Sequence, residues 1–198
     1  MLIEVIPYQT AWADQFRQTA HALRAAFGDV ALRIDHIGST AVPGLAAKPV
    51  IDVQVTVASL TDVVTMIGPL NAIGLEHRQH ITEDRAPQWE ESTPEEWTKQ
   101  YFRTATSQLP RLHVHIREHG RRNQRYPLLM RDFLRADGRA REAYALYKLR
   151  LSDTLARYSE PGGTGPYLDL KDPFFDLLAA HAEDWANLCD WSPGPADA

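Results

Sequence analysis

The sequence predicts a mixed α/β (α+β) fold: a small mixed β-sheet packed by helices, with a helical C-terminal part. Three observations predict it. Residues 50–57 alternate β-branched apolar residues with polar ones, the period of a half-buried strand. The stretch from Trp12 to Phe27 repeats apolar residues every three or four positions, the period of a helix. Beyond Arg121 the helical period recurs almost without a break, so interleaved strands and helices give way to helices alone.

Taken in order, Ile3 to Ile6 reads as a short first strand. A helix follows from Trp12 to Phe27, with Thr10 as its cap, Trp12, Phe16, Ala20, Leu23 and Phe27 as its apolar stripe, and Gly28-Asp29 as its end. Leu32 to Ile37 is a strand running into Gly38-Ser39-Thr40. In the strand Val50–Val57, Ile51, Val53, Val55 and Val57 share one face, and Asp52, Gln54 and Thr56 share the other. Leu60 to Ile73 reads as a helix closed by Gly74. From Glu76 to Gln100 the pattern weakens, although Thr93-Pro94-Glu95-Glu96 has the chemistry of a helix start. Tyr101 to Thr106 and Leu112 to Arg117 are strands; in the second, Leu112, Val114 and Ile116 oppose His113, His115 and Arg117. Helices are expected over Arg121–Ala136 and Ala140–Tyr158. A glycine- and proline-rich break at residues 160–166 precedes a last helix that Asp172-Pro173 caps and starts. Residues 1–191 are expected to form one domain, and 192–198 a flexible tail.

Composition narrows the function. The formal net charge of -5 argues against broad adhesion to nucleic acid or to acidic membranes, although a small basic pocket needs no basic surface. The single Cys189 can form neither an internal disulfide nor a cysteine-rich zinc site. No basic segment followed by an apolar run opens the chain, and no apolar stretch approaches the roughly 20 residues that span a bilayer. A cytoplasmic protein is the expectation.

The stretch His36-Ile-Gly-Ser-Thr-Ala-Val-Pro-Gly-Leu-Ala-Ala-Lys-Pro-Val-Ile-Asp52 carries most of the chemistry. Glycine lets backbone approach a ligand closely, and exposed amides in such a turn can bind phosphate oxygens. Ser39 and Thr40 add hydroxyls, Lys48 adds a positive charge, and Asp52 could hold a divalent metal bridging phosphates. His113 and His115, two residues apart, point to one strand face with Arg117. They read as a hydrogen-bonded pair, an anion-binding or acid/base pair, or a metal pair. If their strand lies beside that of Asp52, then Asp52, Gln54, His113 and His115 form one polar patch. Arg103 precedes them on the neighbouring strand, alternating with Tyr101. His36 is read as structural, and the aromatic residues of the later helices, Tyr126 and Tyr144 among them, as core.

The string from His36 to Asp52 resembles the signature of the GrpB family. The resemblance continues through Leu112-His-Val-His115, Leu129-Met-Arg-Asp-Phe-Leu-Arg-Ala136, Tyr144 with Leu146 and Lys148, and Tyr167-Leu-Asp-Leu-Lys-Asp-Pro-Phe-Phe175. It thus covers nearly the whole chain in order. The resemblance implies a nucleotidyltransferase-like fold, in which a Gly-Ser turn holds a triphosphate and strand carboxylates hold two divalent metals. It also implies a kinship with domains fused to dephospho-CoA kinase that look like accessory folding or regulatory modules. Arg131, Lys148 and Lys171 lie within the matched motifs and, with Arg103, are candidates for a phosphate-binding wall.

This chain departs from the active-enzyme pattern at two places. Asp52 matches the first carboxylate, but the alternate position is the uncharged Gln54, and the neighbouring strand offers His113 and His115 in place of a third carboxylate. Such a set suits one softer ion, Zn²⁺ or Mn²⁺, better than two Mg²⁺ ions, with Asp52 and His115 as ligands. Two readings stay open. One is a metal-dependent nucleotidyltransferase acting on an unknown acceptor, with a nucleotide or phosphorylated small molecule as ligand. The other is a non-catalytic nucleotide- or anion-binding module, or an accessory to a protein partner.

Overall fold

The computed structural model describes residues 4–105, 110–158 and 165–198. Its strands are β1 (Ala31–Ile37), β2 (Val50–Val57), β3 (Leu75–His77), β4 (Gln100–Thr104) and β5 (Arg111–Glu118). They form one five-stranded sheet in the order β1-β2-β5-β4-β3. The central pair, β2 and β5, is parallel, and the other neighbours are antiparallel. This is the mixed sheet packed by helices that the sequence predicted.

The two faces of the sheet differ because β2 and β5 alternate. Ile51, Val53, Val55 and Val57 lie on one face with Val114 and Ile116, all essentially solvent-free. Helix α1 (Ala11–Phe27) covers that face with its predicted stripe of Trp12, Phe16, Ala20, Leu23 and Phe27. Val63 and Leu70, the latter from the short helix α2 (Ile67–Ala72), complete the cluster. Over the polar face sit helices α3 (Arg122–Ala136), α4 (Gly138–Tyr158) and α5 (Gly165–Cys189). Leu129, Met130, Phe133, Tyr144, Leu178 and Ala182 hold this bundle together, with Val42 and Leu45 from the loop before β2. Two hydrophobic cores therefore flank one polar sheet face, and the site lies between that face and the bundle.

Several local expectations are corrected. Of the predicted first strand, Ile3 lies outside the described residues, and Ile6 makes only an isolated bridge with Ala47. Thr10 makes no side-chain cap; its own backbone is helical, and the backbone bonds Trp12 N–H to Gln9 O and Ala13 N–H to Thr10 O close the first turn. The helix expected over Leu60–Ile73 starts as a 3₁₀ segment, Leu60–Met66, before α2. Its β-branched Thr61, Val63, Val64 and Thr65 crowd an α-helical turn. Thr93 does not cap, and Pro94–Trp97 is a single 3₁₀ turn. The strand end expected at Thr106 lies outside the described residues, as does most of the predicted 160–166 break. Helix α5 begins at Gly165 and carries Pro173 in its interior, so Asp172-Pro173 does not start it. Phe174, Phe175 and Leu178 pack against the bundle core on the C-terminal side of the proline, and this tertiary burial outweighs the lost hydrogen bond.

The tail, expected to be flexible, docks on the edge strand. Asp197 accepts hydrogen bonds from the His36 amide at 2.8 Å and from Arg131 at 2.7 Å, and the Ala198 amide donates to Ile34 O at 3.1 Å. These contacts occupy donors and acceptors that an edge strand otherwise leaves bare. Among the described residues no helix is long and apolar enough to cross a membrane.

Phe102, fully buried in β4 against both β5 and β3, anchors the far half of the sheet. Replacing Phe102 by Ala is expected to cost about 3–5 kcal/mol. Chemical denaturation of the two proteins measures the difference.

Candidate functional site

Parallel pairing of β2 with β5 sets Asp52 opposite His113 and Gln54 opposite His115. Directly paired residues share a face, so the polar halves of two alternating strands merge into one patch. His113 Nδ1 lies 3.2 Å from Asp52 Oδ1, and His115 Nε2 lies 3.7 Å from the same oxygen. One ligand atom from each of the three residues falls within 4.8 Å of the other two.

The electrostatics keep Asp52 and His115 ready for a cation. Burial favours the neutral acid at Asp52, but the imidazoles of His113 and His115 beside it outweigh burial and hold the carboxyl well below the usual range. Burial, reinforced by the Arg117 charge, pushes His115 down to about 4, which leaves the neutral imidazole that ligates metals. One carboxylate and two imidazoles fit a single Zn²⁺ or Mn²⁺ with coordination positions left for a ligand.

The second carboxylate position is closed. Gln54 is fully buried; its amide donates to Gln124 O at 2.9 Å and accepts from Arg117 at 2.7 Å. Arg117 also grips Asp84 through two nitrogens, at 2.8 and 3.0 Å. Lys99 Nζ reaches Asp84 at 2.5 Å and Asn123 reaches it at 3.1 Å. Burial opposes ionisation of Asp84, yet Arg117 and Lys99 hold its carboxyl well below the usual range. Gln54 is thus committed to Arg117 and Gln124 within the fold, and its amide offers no charged oxygen to a second divalent ion. Sequence reasoning placed Arg117 on this face but missed Asp84, Lys99 and Asn123. Asp84 lies in the segment without periodicity, where nothing in the sequence signals a buried carboxylate.

At the other end of the cavity is the Gly-Ser turn. Gly38 has φ 70°, and a Cβ there would lie 2.5 Å from Asp52 Oδ2. Only glycine lets the turn rest against the aspartate. Ser39 Oγ accepts a hydrogen bond from Lys148 Nζ at 2.9 Å. Thr40, expected as a phosphate donor, is turned inward: its hydroxyl donates to Val50 O at 3.0 Å and lies 3.1 Å from His36 Nε2. His36 is buried and stacked on Phe16, the structural part expected of it.

Lys48, Lys148 and Lys171 converge here, with Nζ atoms 4.3 Å from the ring centre of Tyr167, 4.4 Å from that of Tyr144 and 4.9 Å from that of Phe175. Only Lys171 has a carboxylate partner among the described residues, Asp172 at 3.0 Å. Burial pushes Lys148 down to about 7, and the charges of Lys171 and Lys48 add to the effect. Burial likewise pushes Lys48 down to about 8, again with Lys171 contributing. With Asp52, His113 and His115, these lysines line a cavity of about 610 Å³ that Tyr126, Tyr144 and Tyr167 also face. Tyr144 is both core and cavity wall.

Arg131 lines the cavity with the lysines but has its charge spent within the fold, and Arg103 does not line it. Arg131 is buried and ion-paired to Asp132 at 2.8 Å and Asp197 at 2.7 Å, with Asp35 at 3.8 Å, so its charge is neutralised within the fold. Arg103 stands on β4 opposite His113, outside the cavity lining.

Asp84 compensates two buried cations at once. Replacing Asp84 by Ala is expected to destabilise the chain by about 3 kcal/mol or more. The loss should shrink when Arg117 is also replaced by Met, a comparison that urea unfolding of the single and double variants provides.

Residues 2–181 match the family described as GrpB protein. The chain is 36% identical over 203 residues to a dephospho-CoA kinase of Mycolicibacterium paratuberculosis, a match spanning 96% of this chain and 48% of that protein. It is 29% identical over 183 residues to the UPF0157 protein YqkA of Bacillus subtilis, spanning 92% of this chain and 48% of the relative. The chain thus spans about half the length of the curated relatives it matches first. Among solved structures, the conserved protein GrpB from Enterococcus faecalis superposes with a TM-score of 0.73 at 28% identity, covering 92% of this chain and 99% of that one. With the family match reaching from the first residues into α5, this chain belongs to the GrpB family.

Proposed function

We propose that the chain binds a nucleotide or another phosphorylated small molecule in this cavity together with one divalent metal ion. The observation that carries the reading is the joining of two half-sites in one hollow. Asp52, His113 and His115 form a three-ligand set at one wall. Lys148, bonded to Ser39, stands with Lys48 and Lys171 at another. The metal, when bound, would neutralise phosphate charge and polarise a phosphorus–oxygen bond. The lysines would hold the distal phosphates, and the tyrosines would exclude water around them.

In its catalytic form this reading is nucleotidyl transfer. An acceptor oxygen bonds to the α-phosphorus, the bond to the β-phosphate breaks, and pyrophosphate leaves. Asp52 and His115 suffice as protein ligands, which leaves His113 to take the acceptor's proton. A second reading, a binding module without catalysis, is favoured by Gln54, whose amide is locked between Arg117 and Gln124 where a second metal-binding carboxylate would be needed. In the kinase-named relatives the matched region makes up about half of a longer chain, which suits such a module acting beside a partner enzyme.

A thermal-shift matrix of ATP against Mg²⁺, Mn²⁺ and Zn²⁺ separates the readings. ATP with Mn²⁺ or Zn²⁺, at about 100 times its dissociation constant, is expected to stabilise by roughly 2.7 kcal/mol, with little effect from either alone. Asp52→Asn is expected to abolish the joint effect; an unchanged shift would remove Asp52 from the site. Stabilisation by simple anions without metal would favour the silent module. No shift under any condition would overturn both.

Anion affinity should also depend on pH in a definite direction. In the free protein burial and like charge hold Lys148 at about 7, and a bound anion raises that value. Binding therefore takes up protons as pH climbs above 7, so affinity is greatest below pH 7 and falls above it. Pyrophosphate titrations between pH 6 and 9 test this, and Lys148→Met should flatten the slope.

A further inference from the structure

A second group of cations lies outside the lysine-lined cavity. On the sheet face that carries the triad, one row of paired residues runs Asp52, His113, Arg103 and the next runs Gln54, His115, Tyr101. Arg111 precedes His113 by two positions on β5 and so shares its face. Arg78 follows β3 with its amide bonded to Tyr101 O at 2.9 Å, which places it beside Tyr101. All three arginines are half-buried.

Their charges are poorly compensated. Arg103 and Arg111 form no ion pair with any described residue, although Glu76 stands opposite Arg103 on β3, and Arg78 has only that same Glu76, exposed and 3.9 Å away. Arg78 Nε and Arg103 Nε are both shut off from solvent without an acceptor among the described residues. A buried donor left unpaired is costly, and two such guanidinium groups on one sheet face suit an acceptor brought by a ligand. Arg111 and Arg103 thus flank His113 on this face, one two positions before it on β5 and one opposite it on β4, and Arg78 stands beside Tyr101 in the next row.

We infer that Arg78, Arg103 and Arg111 form a second anion subsite for a phosphate or phosphate ester, so that the ligand spanning Asp52, His113 and His115 carries an anionic group at each end. Guanidinium forks suit paired phosphate oxygens, whereas the lysines at the other end act as point charges. For transfer chemistry the acceptor is then itself phosphorylated, rather than a simple alcohol or amine. The two-ended ligand rests on the function proposed above; the arginine subsite does not.

Isothermal titration of the full chain with inorganic pyrophosphate, in EDTA, tests the proposal. Two pyrophosphates per chain are expected. Arg78→Gln with Arg103→Gln should weaken one of them about tenfold or more, and Lys148→Met should weaken the other. Arg111→Gln, a single change at a half-exposed and unpaired residue, gives a milder probe of the same end should the double variant fold poorly. Unchanged binding in the arginine variants would overturn the subsite. A single bound pyrophosphate lost only in Lys148→Met would also overturn it, while leaving the proposed function standing. A single pyrophosphate lost only in the arginine variants would uphold the subsite and overturn both the two-ended ligand and the lysine half of the proposed function.

Discussion

The site depends on the parallel, in-register pairing of β2 with β5. Had β5 slipped by one residue, every His113-type side chain would have exchanged places with Val114-type side chains, and the polar patch would have become a buried liability. The register is fixed from the apolar side. Val53 pairs with Val114 and Val55 with Ile116, all without solvent exposure, and α1 seals them. Because each strand alternates strictly, closing the apolar core also sets Asp52 beside His113 and Gln54 beside His115. The chemistry is a by-product of packing on the opposite face.

That arrangement exposes a row of polar groups that needs a second layer, and the α3–α5 bundle supplies it without filling the space. Its own core of leucines and aromatics holds the helices together, so α4 and α5 can present Lys148, Lys171 and Tyr167 to the sheet without resting on it. Desolvation follows. A lysine pinned at about 7 against a serine hydroxyl is electrostatically uncomfortable, and an incoming anion relieves it. The Asp84 network is the counterpart on the other side, a set of charges satisfied internally that gives rigidity next to the triad and leaves Gln54 no part in holding a metal.

The difference between the two cationic regions is physical. Arg117, Arg131 and Lys99 are buried with carboxylates bonded to them, so their charges are cancelled within the fold. Lys48 and Lys148 line the cavity, and Arg103 and Arg111 lie beyond it on the triad's sheet face, all without such partners among the described residues. Position in the sequence does not separate these classes, since Arg131 and Lys148 both lie in family motifs. What separates them is whether an aspartate from elsewhere in the chain arrives beside them.

The sequence by itself determined the mixed α/β class, the alternating strands and the stripe of α1, because strand and helix periods are local properties of residue order. It also marked Asp52, His113 and His115 as residues of one patch, conditional on their strands being neighbours, and Gly38-Ser39 as a turn where backbone could approach a ligand closely. Tertiary structure decided the rest. It paired β2 with β5, brought Asp84 from a stretch without periodicity, and turned the Thr40 hydroxyl inward. It carried α5 through Pro173 and docked Asp197 on Arg131. Each of these depends on contacts between residues far apart in the chain, where burial energy overrides local preference and no periodic signal exists to announce it.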